Sequence, residues 1–377
     1  MEISKLSKLI TPSGTMAISN KARILREQGK PVIGFGAGEP DFPTPEYVVK
    51  DVQVAAEDTS NHKYSPVAGL TILKEEIVRT SQLYSGINVQ QENILVSNGG
   101  KHAILTTFMS ILNPGDEVLI PSPYWTTYPE AVKISGGNPI IVDTEFDDDF
   151  KVNTDQLDAL KTSKTKILVW VSPSNPTGVV YTKEEAEQIY NWAFENNVWI
   201  LSDELYEHLV YEGMTSPSPA QYDTELNNTI IINGVAKAYS MTGWRVGWII
   251  ANTDVIDMAK KIQSHATSNV SNISQIAAYS ALKNGLNETK IMKESFNRRR
   301  LYAIEEFSNI ENVNLIKSTG AFYLFPDVSY YSSNGVINGV HNSIDFCNWL
   351  LDEYFIAFVP GEVFGKNGFL RCSYALS

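Results

Sequence analysis

Short apolar runs alternate with amphipathic segments along most of the chain from residue 46 onward. The amphipathic segments at 46–58, 70–85 and 102–112 repeat their apolar residues with the period of an α-helix. The apolar runs between helices are rich in Val and Ile and are bounded by Gly, Pro, Asn or Ser, which is typical of buried strands in a mostly parallel sheet. They lie at 94–96, 117–120, 167–171, 198–201, 229–232 and 246–250. The pattern therefore predicts an α/β fold with a doubly wound sheet.

The two ends of the chain have a different pattern. Residues 1–45 carry many Gly and Pro residues and are predicted to form an arm with one helix at about 19–28. An amphipathic stretch over 287–310 leads out of the α/β region. After it we predict a strand at 321–325, a helix at 343–353 and a strand that ends at Arg371. The predicted parts are an arm over 1–45, a large domain over 46–285 and a smaller α+β domain over 286–377.

The composition is typical of a globular protein, and the net charge argues against two classes of binding partner. The chain has 377 residues, of which 43% are hydrophobic, and this length is enough for two domains with large cores. The formal net charge of −13 argues against binding to nucleic acid or to an anionic membrane surface, because both need a basic surface. Two cysteines suit a reducing compartment, and no secretory signal or membrane-spanning run is recognisable. We expect a soluble, cytoplasmic protein.

Polar residues at the carboxyl ends of the predicted strands are candidates for chemistry, because ligands of open α/β sheets bind there. The first predicted strand leads to Gly99, Gly100 and Lys101, and paired glycines at a helix N-terminus suit a phosphate group. An ordinary strand–helix turn is the alternative. The third strand leads to Asn175, which Pro176 restricts to an extended or turn conformation. A plain loop of turn-forming residues is the alternative there.

Two further strand ends carry ionisable residues. Asp203 closely follows four apolar residues, so burial would raise its pKa unless a cation or hydrogen-bond donors oppose the effect. It is interpreted either as a helix N-cap or as the partner of a buried positive charge. Lys237 lies among small and apolar residues, where desolvation would lower its pKa and make it a candidate amine nucleophile. The alternative is a loop lysine with its ammonium group in water.

The combination of these residues is more informative than any one motif. A glycine turn, Asn175, Asp203 with Tyr206 three residues later, and Lys237 with Arg245 eight residues later occur in this order. Pyridoxal phosphate needs such groups, namely an amine for a Schiff base, an acid for the pyridine nitrogen, donors for the phenolate oxygen and cations for the phosphate. The sequence therefore predicts a pyridoxal phosphate site.

These residues lie in motifs that resemble those of the class I and II aminotransferases of fold type I, and within these most closely the aspartate aminotransferases of subgroup Ib. The resemblance implies a mostly parallel seven-stranded sheet between helices, a smaller α+β domain and pyridoxal 5'-phosphate as cofactor. The motifs span nearly the whole chain. They are Ala37-Gly38-Glu39-Pro40-Asp41-Phe42, Lys63-Tyr64, Asn98-Gly99-Gly100-Lys101, Pro114-Gly115-Asp116-Glu117-Val118, Ser122-Pro123-Tyr124-Trp125, Asn175-Pro176-Thr177-Gly178, Ser202-Asp203-Glu204-Leu205-Tyr206, Ala236-Lys237 through Arg245, and Leu370-Arg371.

The resemblance implies a role for each matching residue. Three are expected to be catalytic: Lys237 binds the cofactor covalently and moves protons, Asp203 pairs with the protonated ring nitrogen, and Tyr206 donates to the phenolate oxygen. Tyr64 is expected to reach the phosphate of the neighbouring subunit, which implies a homodimer with shared active sites. The other residues expected to hold the cofactor are Gly99, Gly100, Lys101, Trp125, Asn175 and Arg245.

The resemblance also implies a substrate site. Arg371 is expected to bind the α-carboxylate with two parallel hydrogen bonds, a geometry that Arg supplies and Lys does not. Lys101, helped by Thr15, is expected to bind the distal carboxylate of aspartate. The implied reaction is ping-pong transfer of an amino group between L-aspartate, or a similar dicarboxylic amino acid, and a 2-oxo acid such as 2-oxoglutarate. The residues expected at the substrate are Gly38, Lys101, Trp125, Asn175, Arg371 and Thr15.

Three hypotheses about function remain. The first is a dicarboxylate aminotransferase, with aromatic or prephenate activity as an alternative. The second is another reaction of the same fold, such as a β-lyase reaction, because a fold does not fix a reaction. The third is a regulator without enzymatic activity, which the acidic charge disfavours. The histidines are scattered without metal-ligand spacing, so no metal site is predicted. They include His62, His208, His265 and His341.

Overall fold

The computed structural model describes residues 3–12 and 14–376, except for the side chains of Thr15 and Met16. Its helices are α1 (Gly14–Glu27), α2 (Glu46–Glu57), α3 (Thr71–Thr80), α4 (Gly100–Ile111), α5 (Thr127–Ile134), α6 (Thr154–Leu160), α7 (Lys183–Glu195), α8 (Thr253–Ala266), α9 (Asn272–Lys283), α10 (Asn287–Ser308), α11 (Ser329–Ser333) and α12 (Ser343–Tyr354). Its strands are β1 (Ile33–Gly34), β2 (Ile94–Ser97), β3 (Glu117–Pro121), β4 (Asn138–Val142), β5 (Thr165–Val171), β6 (Trp199–Asp203), β7 (Thr229–Gly234), β8 (Gly247–Ile250), β9 (Tyr323–Leu324), β10 (Ile356–Ala357), β11 (Val359–Pro360) and β12 (Leu370–Ser373).

The main sheet confirms the predicted α/β fold with a mostly parallel arrangement of strands. Within the described residues it has seven strands in the order β2-β8-β7-β6-β5-β3-β4. Strand β8 is antiparallel to both of its neighbours, and the other pairs are parallel. The start of β8 therefore lies at the edge of the sheet where the other six strands end. This reversal brings Arg245, two residues before β8, to the carboxyl edge.

The apolar pattern missed the edge strand β4. This strand begins with Asn138 and Pro139, and only its last residue, Val142, is buried. An edge strand tolerates Pro because one side of its backbone has no partner in the sheet. Its sequence therefore lacks the continuous apolar run by which the central strands were found.

Helices cover both faces of the sheet, so the central strands are buried on each side. Neighbouring residues of β5 enter different cores: Val169 shares one with Phe108 of α4, and Trp170 shares the other with Trp192 of α7. Burial of one such large side chain contributes roughly 1.5–3 kcal/mol to the free energy of unfolding. Burial on both faces explains why these strands are continuous apolar runs rather than alternating ones.

Several helix boundaries differ from the predicted ones. Helix α1 starts at residue 14 rather than 19, and the predicted helix at 70–85 ends as α3 at Thr80 and continues as a π-helical turn over Ser81–Ser85. The sequence pattern gave no individual bounds for helices α5 to α9. A sequence signal existed for α7, since Thr182 and Glu185 form a capping box at its start.

Two smaller sheets connect distant parts of the chain. Strand β1 of the N-terminal arm pairs in parallel with β10, and β12 lies between β11 and β9 in an antiparallel sheet. Arg371 lies in β12, which places it in this smaller sheet rather than in the main one. The domain boundaries at 45/46 and 285/286 stay a prediction. Among the described helices, none is both long and apolar enough to span a membrane.

Candidate active site

The carboxyl ends of the parallel strands and the start of β8 surround one cleft of about 530 Å³. Its other walls come from the arm at Gly38 and from β12 at Arg371. Most of the predicted site residues line this cleft, although they are far apart in the sequence. Those that line it are Gly38, Gly100, Lys101, Trp125, Asn175, Asp203, Tyr206, Lys237, Arg245 and Arg371.

Lys237 lies three residues beyond the end of β7, with its amine directed into the cleft. The Nζ atom donates a hydrogen bond of 2.5 Å to the carbonyl oxygen of Gly38. Burial and the Arg371 guanidinium lower the pKa of Lys237 to about 8, although Glu39 and Asp203 oppose this effect. The alternative of a loop lysine with its ammonium group in water does not hold, and the amine is available as a nucleophile near neutral pH.

Asp203 is the last residue of β6 and is buried. The Tyr128 hydroxyl donates to its Oδ2 atom at 2.7 Å, and the backbone N–H of Leu205 donates to Oδ1 at 3.3 Å. Burial raises the pKa of Asp203, and the hydrogen bond from Tyr128 opposes the rise. Residues 205–208 form turns rather than a helix, so Asp203 is not a helix N-cap. A buried carboxylate at this position suits a cationic partner.

Arg371 is 3% exposed and is held from several sides. Its Nη1 atom donates to Oδ1 of Asn175 at 3.0 Å, and its Nη2 atom donates to the carbonyl oxygen of Gly36 at 2.9 Å. Its Nε atom is buried and has no hydrogen-bond partner among the described residues. The guanidinium lies 4.5 Å from the ring centroid of Tyr323 and 5.0 Å from that of Phe364. Arg371 is thus a pre-oriented cation with unused donor capacity, which suits a carboxylate.

The turn between β2 and α4 has the geometry of a candidate anion-binding site. Gly99 has φ +81°, and a Cβ atom built on it would lie 2.8 Å from Nη2 of Arg245. The guanidinium therefore approaches the backbone of the turn more closely than a side chain at this position would allow. Arg245 is fixed by a 3.0 Å hydrogen bond from its Nη1 atom to the carbonyl oxygen of Thr242. The N-terminus of α4 and this guanidinium together suit a phosphate group.

Lys101 and Trp125 lie side by side at another wall of the cleft. The Nζ atom of Lys101 is 5.2 Å from the centroid of the Trp125 ring, and the Trp125 ring contacts Tyr128 edge to face at 5.7 Å. Burial and the Arg245 guanidinium lower the pKa of Lys101. The cleft therefore contains a second candidate cation for an acidic substrate, besides Arg371.

Two of the predicted residues whose side chains the structure describes do not line the cleft. Gly99 adjoins it beneath Arg245. Tyr64 lies outside the cleft and is 91% exposed. The side chain of Thr15 falls outside the part of the chain that the structure describes.

The structure adds three residues that the sequence analysis missed. Tyr128 donates to Asp203, Tyr323 packs under Arg371, and Glu39 accepts a hydrogen bond of 2.8 Å from the Thr242 hydroxyl. Tyr323 had one usable signal. It is a tyrosine inside an otherwise apolar strand, and a buried tyrosine hydroxyl usually has a hydrogen-bond partner.

Comparisons with known proteins identify the family of this chain. The sequence model of the family "Aminotransferase class I and II" matches residues 30–377. An aspartate aminotransferase of Streptomyces avermitilis is 46% identical over 97% of this chain and 90% of its own length. A probable aspartate/prephenate aminotransferase of Aquifex aeolicus is 40% identical over 99% of this chain and 94% of its own.

A solved structure of an aminotransferase is also similar to this chain. The aspartate aminotransferase from Thermus thermophilus with maleate superposes with a TM-score of 0.94 at 35% identity, over 100% of this chain and 96% of its own. The chain therefore belongs to the class I and II aminotransferases and is a pyridoxal phosphate-dependent enzyme of fold type I.

Proposed function

We propose that this aminotransferase moves the amino group of L-aspartate, or of a similar dicarboxylic amino acid, to a 2-oxo acid such as 2-oxoglutarate. One observation carries the proposal: Arg371 and Lys101 line the same cleft as the Lys237 amine. A dicarboxylic amino acid carries two carboxylates. Its binding site therefore needs one cation for each carboxylate, both close to the Lys237 amine. The names of the relatives support the same substrate class.

The residues present fit pyridoxal phosphate. Gly99, Gly100 and the guanidinium of Arg245 would hold the phosphate, since a Cβ atom at either glycine would enter occupied space. Asp203 would pair with the ring nitrogen, and Trp125 would stack on the ring. Tyr206 and Asn175 would donate to the phenolate oxygen. When bound, the cofactor supplies an electron sink for the electron pair left at the substrate Cα atom.

Lys237 is assigned the proton transfers. Its neutral Nζ atom would take the proton from the substrate Cα atom as a general base and would later release it as a general acid. The lowered pKa of Lys237 supports this role, because a fully protonated amine could not accept the proton. Asp203 carries the negative charge that keeps the ring nitrogen protonated, and Tyr128 keeps that carboxylate oriented.

Arg371 is assigned the substrate α-carboxylate, and Lys101, with Thr15, the distal carboxylate. Gly38 and Asn175 border the same space, and the backbone of Gly38 would approach the substrate. Lysine is a point charge without the fork of arginine, so Lys101 can accept dicarboxylates of more than one shape. Prephenate is therefore a second candidate substrate, which the name of the Aquifex relative favours.

The assembly and location are part of the proposal. A homodimer with shared active sites would give the exposed Tyr64 side chain a partner, the cofactor phosphate of the neighbouring subunit. Both cysteines, Cys347 and Cys372, are buried and unpaired, which suits a reducing compartment such as the cytoplasm. The division into an arm, a large domain and a smaller domain, each with the boundaries predicted above, belongs to the same proposal.

The test begins with the visible absorption of the purified, cofactor-loaded protein. Aspartate without any 2-oxo acid should bleach the absorption band, and 2-oxoglutarate should restore it. Release of pyruvate and ammonia from a cysteine conjugate, without this bleaching, would instead favour a β-lyase.

Substrate specificity is tested with Lys101→Ala. We expect kcat/KM for aspartate to fall about 10- to 100-fold, the value of a hydrogen bond to a charged group, with a much smaller loss for alanine and phenylalanine. The matched control is Lys164→Ala, since Lys164 is exposed just before β5 at the opposite edge of the sheet. An equal loss for the three substrates would remove Lys101 from the distal carboxylate.

A further inference from the structure

Tyr323 lies between the residues assigned to the substrate and those assigned to the cofactor. It is the first residue of β9, where it pairs with Ser373, two residues beyond Arg371 on the antiparallel strand β12. Its side chain lines the cleft, yet the residue is only 1% exposed. The ring and the hydroxyl of Tyr323 each contact a different part of the site.

The ring of Tyr323 supports the Arg371 guanidinium. The centre of the guanidinium lies 4.5 Å from the ring centroid, with Phe364 at 5.0 Å as a second aromatic neighbour. A planar guanidinium that stacks on an aromatic face keeps one orientation and gains cation–π energy. The Nη atoms donate the hydrogen bonds to Asn175 and Gly36. These N–H bonds lie in the plane of the guanidinium, and the Tyr323 ring fixes that plane.

The hydroxyl of Tyr323 contacts Tyr206. The two hydroxyl oxygens are 2.9 Å apart, and either can be the donor. Each hydroxyl has a single proton, so the direction of this bond decides what Tyr206 can do. When Tyr323 donates to Tyr206, the Tyr206 proton is free for another acceptor. Burial raises the pKa of Tyr323, so it keeps its proton at physiological pH and can act as that donor.

We propose that Tyr323 is a positioning residue that acts on both parts of the site: its ring orients Arg371 for the substrate carboxylate, and its hydroxyl turns the Tyr206 proton toward the phenolate oxygen of the cofactor. This inference rests on the proposed function, because it uses the roles given there to Arg371 and Tyr206. It also explains why a tyrosine, rather than a phenylalanine or leucine, stands in this apolar strand.

The competing interpretation is that Tyr323 only fills the apolar core that it shares with Phe322 and Leu324. A core residue would affect stability, and its hydroxyl would have no influence on the cofactor. Two substitutions separate these interpretations, because Tyr323→Phe removes the hydroxyl alone and Tyr323→Leu removes the aromatic face as well. Tyr374→Phe is the matched control, since Tyr374 is a buried tyrosine next to the same sheet whose hydroxyl contacts Ala321 and which does not line the cleft.

The first measurement is the pH midpoint at which the visible absorption of the bound cofactor changes, without substrate. For Tyr323→Phe we expect this midpoint to rise by about 0.4 to 1 pH unit, the size of one hydrogen bond. A hydroxyl that accepts a hydrogen bond is a stronger donor, so loss of the Tyr323 hydroxyl should weaken donation by Tyr206. Weaker donation leaves more negative charge on the phenolate oxygen, which holds a neighbouring proton more tightly. In the same variant, KM for aspartate should change less than about threefold, because the ring under Arg371 remains.

The second measurement is KM for aspartate in Tyr323→Leu. We expect KM to rise about tenfold or more, because the guanidinium loses its aromatic support, together with the same rise in the absorption midpoint. Tyr374→Phe should leave both quantities unchanged.

Each possible result decides the inference. An unchanged absorption midpoint in Tyr323→Phe, with wild-type protein that titrates and turns over aspartate, would overturn it and leave Tyr323 as a core residue. A midpoint that shifts equally in Tyr374→Phe would also overturn it, since the effect would then be general. Wild-type protein without a cofactor band would overturn the proposed function first, and the inference with it. Should Tyr323→Leu not fold, the conservative variant still decides.

Discussion

At the residue scale, the main effect is the desolvation of the Lys237 amine, which lowers its pKa. An ordinary lysine has a pKa near 10.4 and is almost fully protonated at neutral pH. Burial in the cleft and the Arg371 guanidinium lower the pKa of Lys237 to about 8, while Glu39 and Asp203 limit the change. Besides burial, both Arg371 and Arg245 lower the pKa of Lys237. The residues proposed to bind the substrate and the phosphate therefore also favour the neutral form of the amine.

A pH series of cofactor loading tests this effect. The rate at which the cofactor-free protein binds pyridoxal phosphate covalently should rise with pH and level off above a midpoint near 8, because only the neutral Lys237 amine reacts. Below the midpoint the rate should fall roughly tenfold per pH unit. The measurement is the time course of the visible absorption band, with Lys237→Ala as the variant that forms no such band. A midpoint above pH 10 would contradict the lowered pKa.

At the scale of elements, the turn between β2 and α4 depends on close approach of backbone. A Cβ atom on Gly247, the first residue of β8, would lie 2.8 Å from the backbone nitrogen of Gly100. The glycines at 99 and 247 therefore let the turn and the antiparallel strand, with the arginine that precedes it, come close together. This contact allows Arg245, just before β8, to reach the N-terminus of α4.

Gly99→Ala tests the turn against a matched glycine. Both Gly99 and Gly29 have φ near +80°, but a Cβ atom at Gly29 meets nothing within 4 Å, whereas at Gly99 it meets Arg245. Each alanine should cost about 1–2 kcal/mol of stability from backbone strain. Only Gly99→Ala should also weaken cofactor binding, by about tenfold or more, because it displaces the guanidinium from the phosphate site. Absorbance titration with pyridoxal phosphate gives the Kd, and equal values for the two variants would refute this account.

At the scale of the whole molecule, the cleft joins three distant parts of the chain. The arm contributes Gly36 and Gly38, the main sheet contributes Lys237, and the C-terminal sheet contributes Arg371. The two guanidinium nitrogens Nη1 and Nη2 of Arg299 bind the Asp41 carboxylate at 3.0 and 2.9 Å, which ties the arm to α10. The site is therefore complete only when the arm is in place over the two sheets.

The proposed sharing of active sites between the subunits of a dimer is tested by co-expression of two variants. Lys237→Ala and Tyr64→Ala should each be inactive at limiting cofactor. Co-expression should restore about a quarter of wild-type activity, because half of the dimers are hybrids and each hybrid has one intact site.

The control is the pair Lys237→Ala and Asp203→Ala, whose residues belong to the same subunit. Co-expression of this pair should restore nothing, because each defect remains in its own subunit's site. Activity assays on the purified mixtures give the result. Restoration by neither pair would argue against Tyr64 acting across subunits.

The sequence alone determined the fold class and predicted most of the candidate residues that line the cleft. Buried strands are continuous apolar runs, and side chains that follow them lie at one edge of a parallel sheet. The position of Asp203 and Asn175 at that edge was therefore predictable from local pattern. The family motifs supplied the rest of the predicted residues, including Arg371. The weakest local signal was β4, because an exposed edge strand does not need an apolar sequence.

The tertiary structure alone decided which side chains meet. Tyr128 contacts Asp203 across 75 positions, Tyr206 contacts Tyr323 across 117, and Lys237 contacts Gly38 across 199. None of these pairs has a spacing that a helix or strand period reveals, since each depends on strand order, on the antiparallel β8 and on the path of the arm. The sequence thus specified the reactive groups, and long-range packing in the cleft set their hydrogen bonds and the lowered pKa of Lys237, because desolvation and charge proximity exist only in the folded chain.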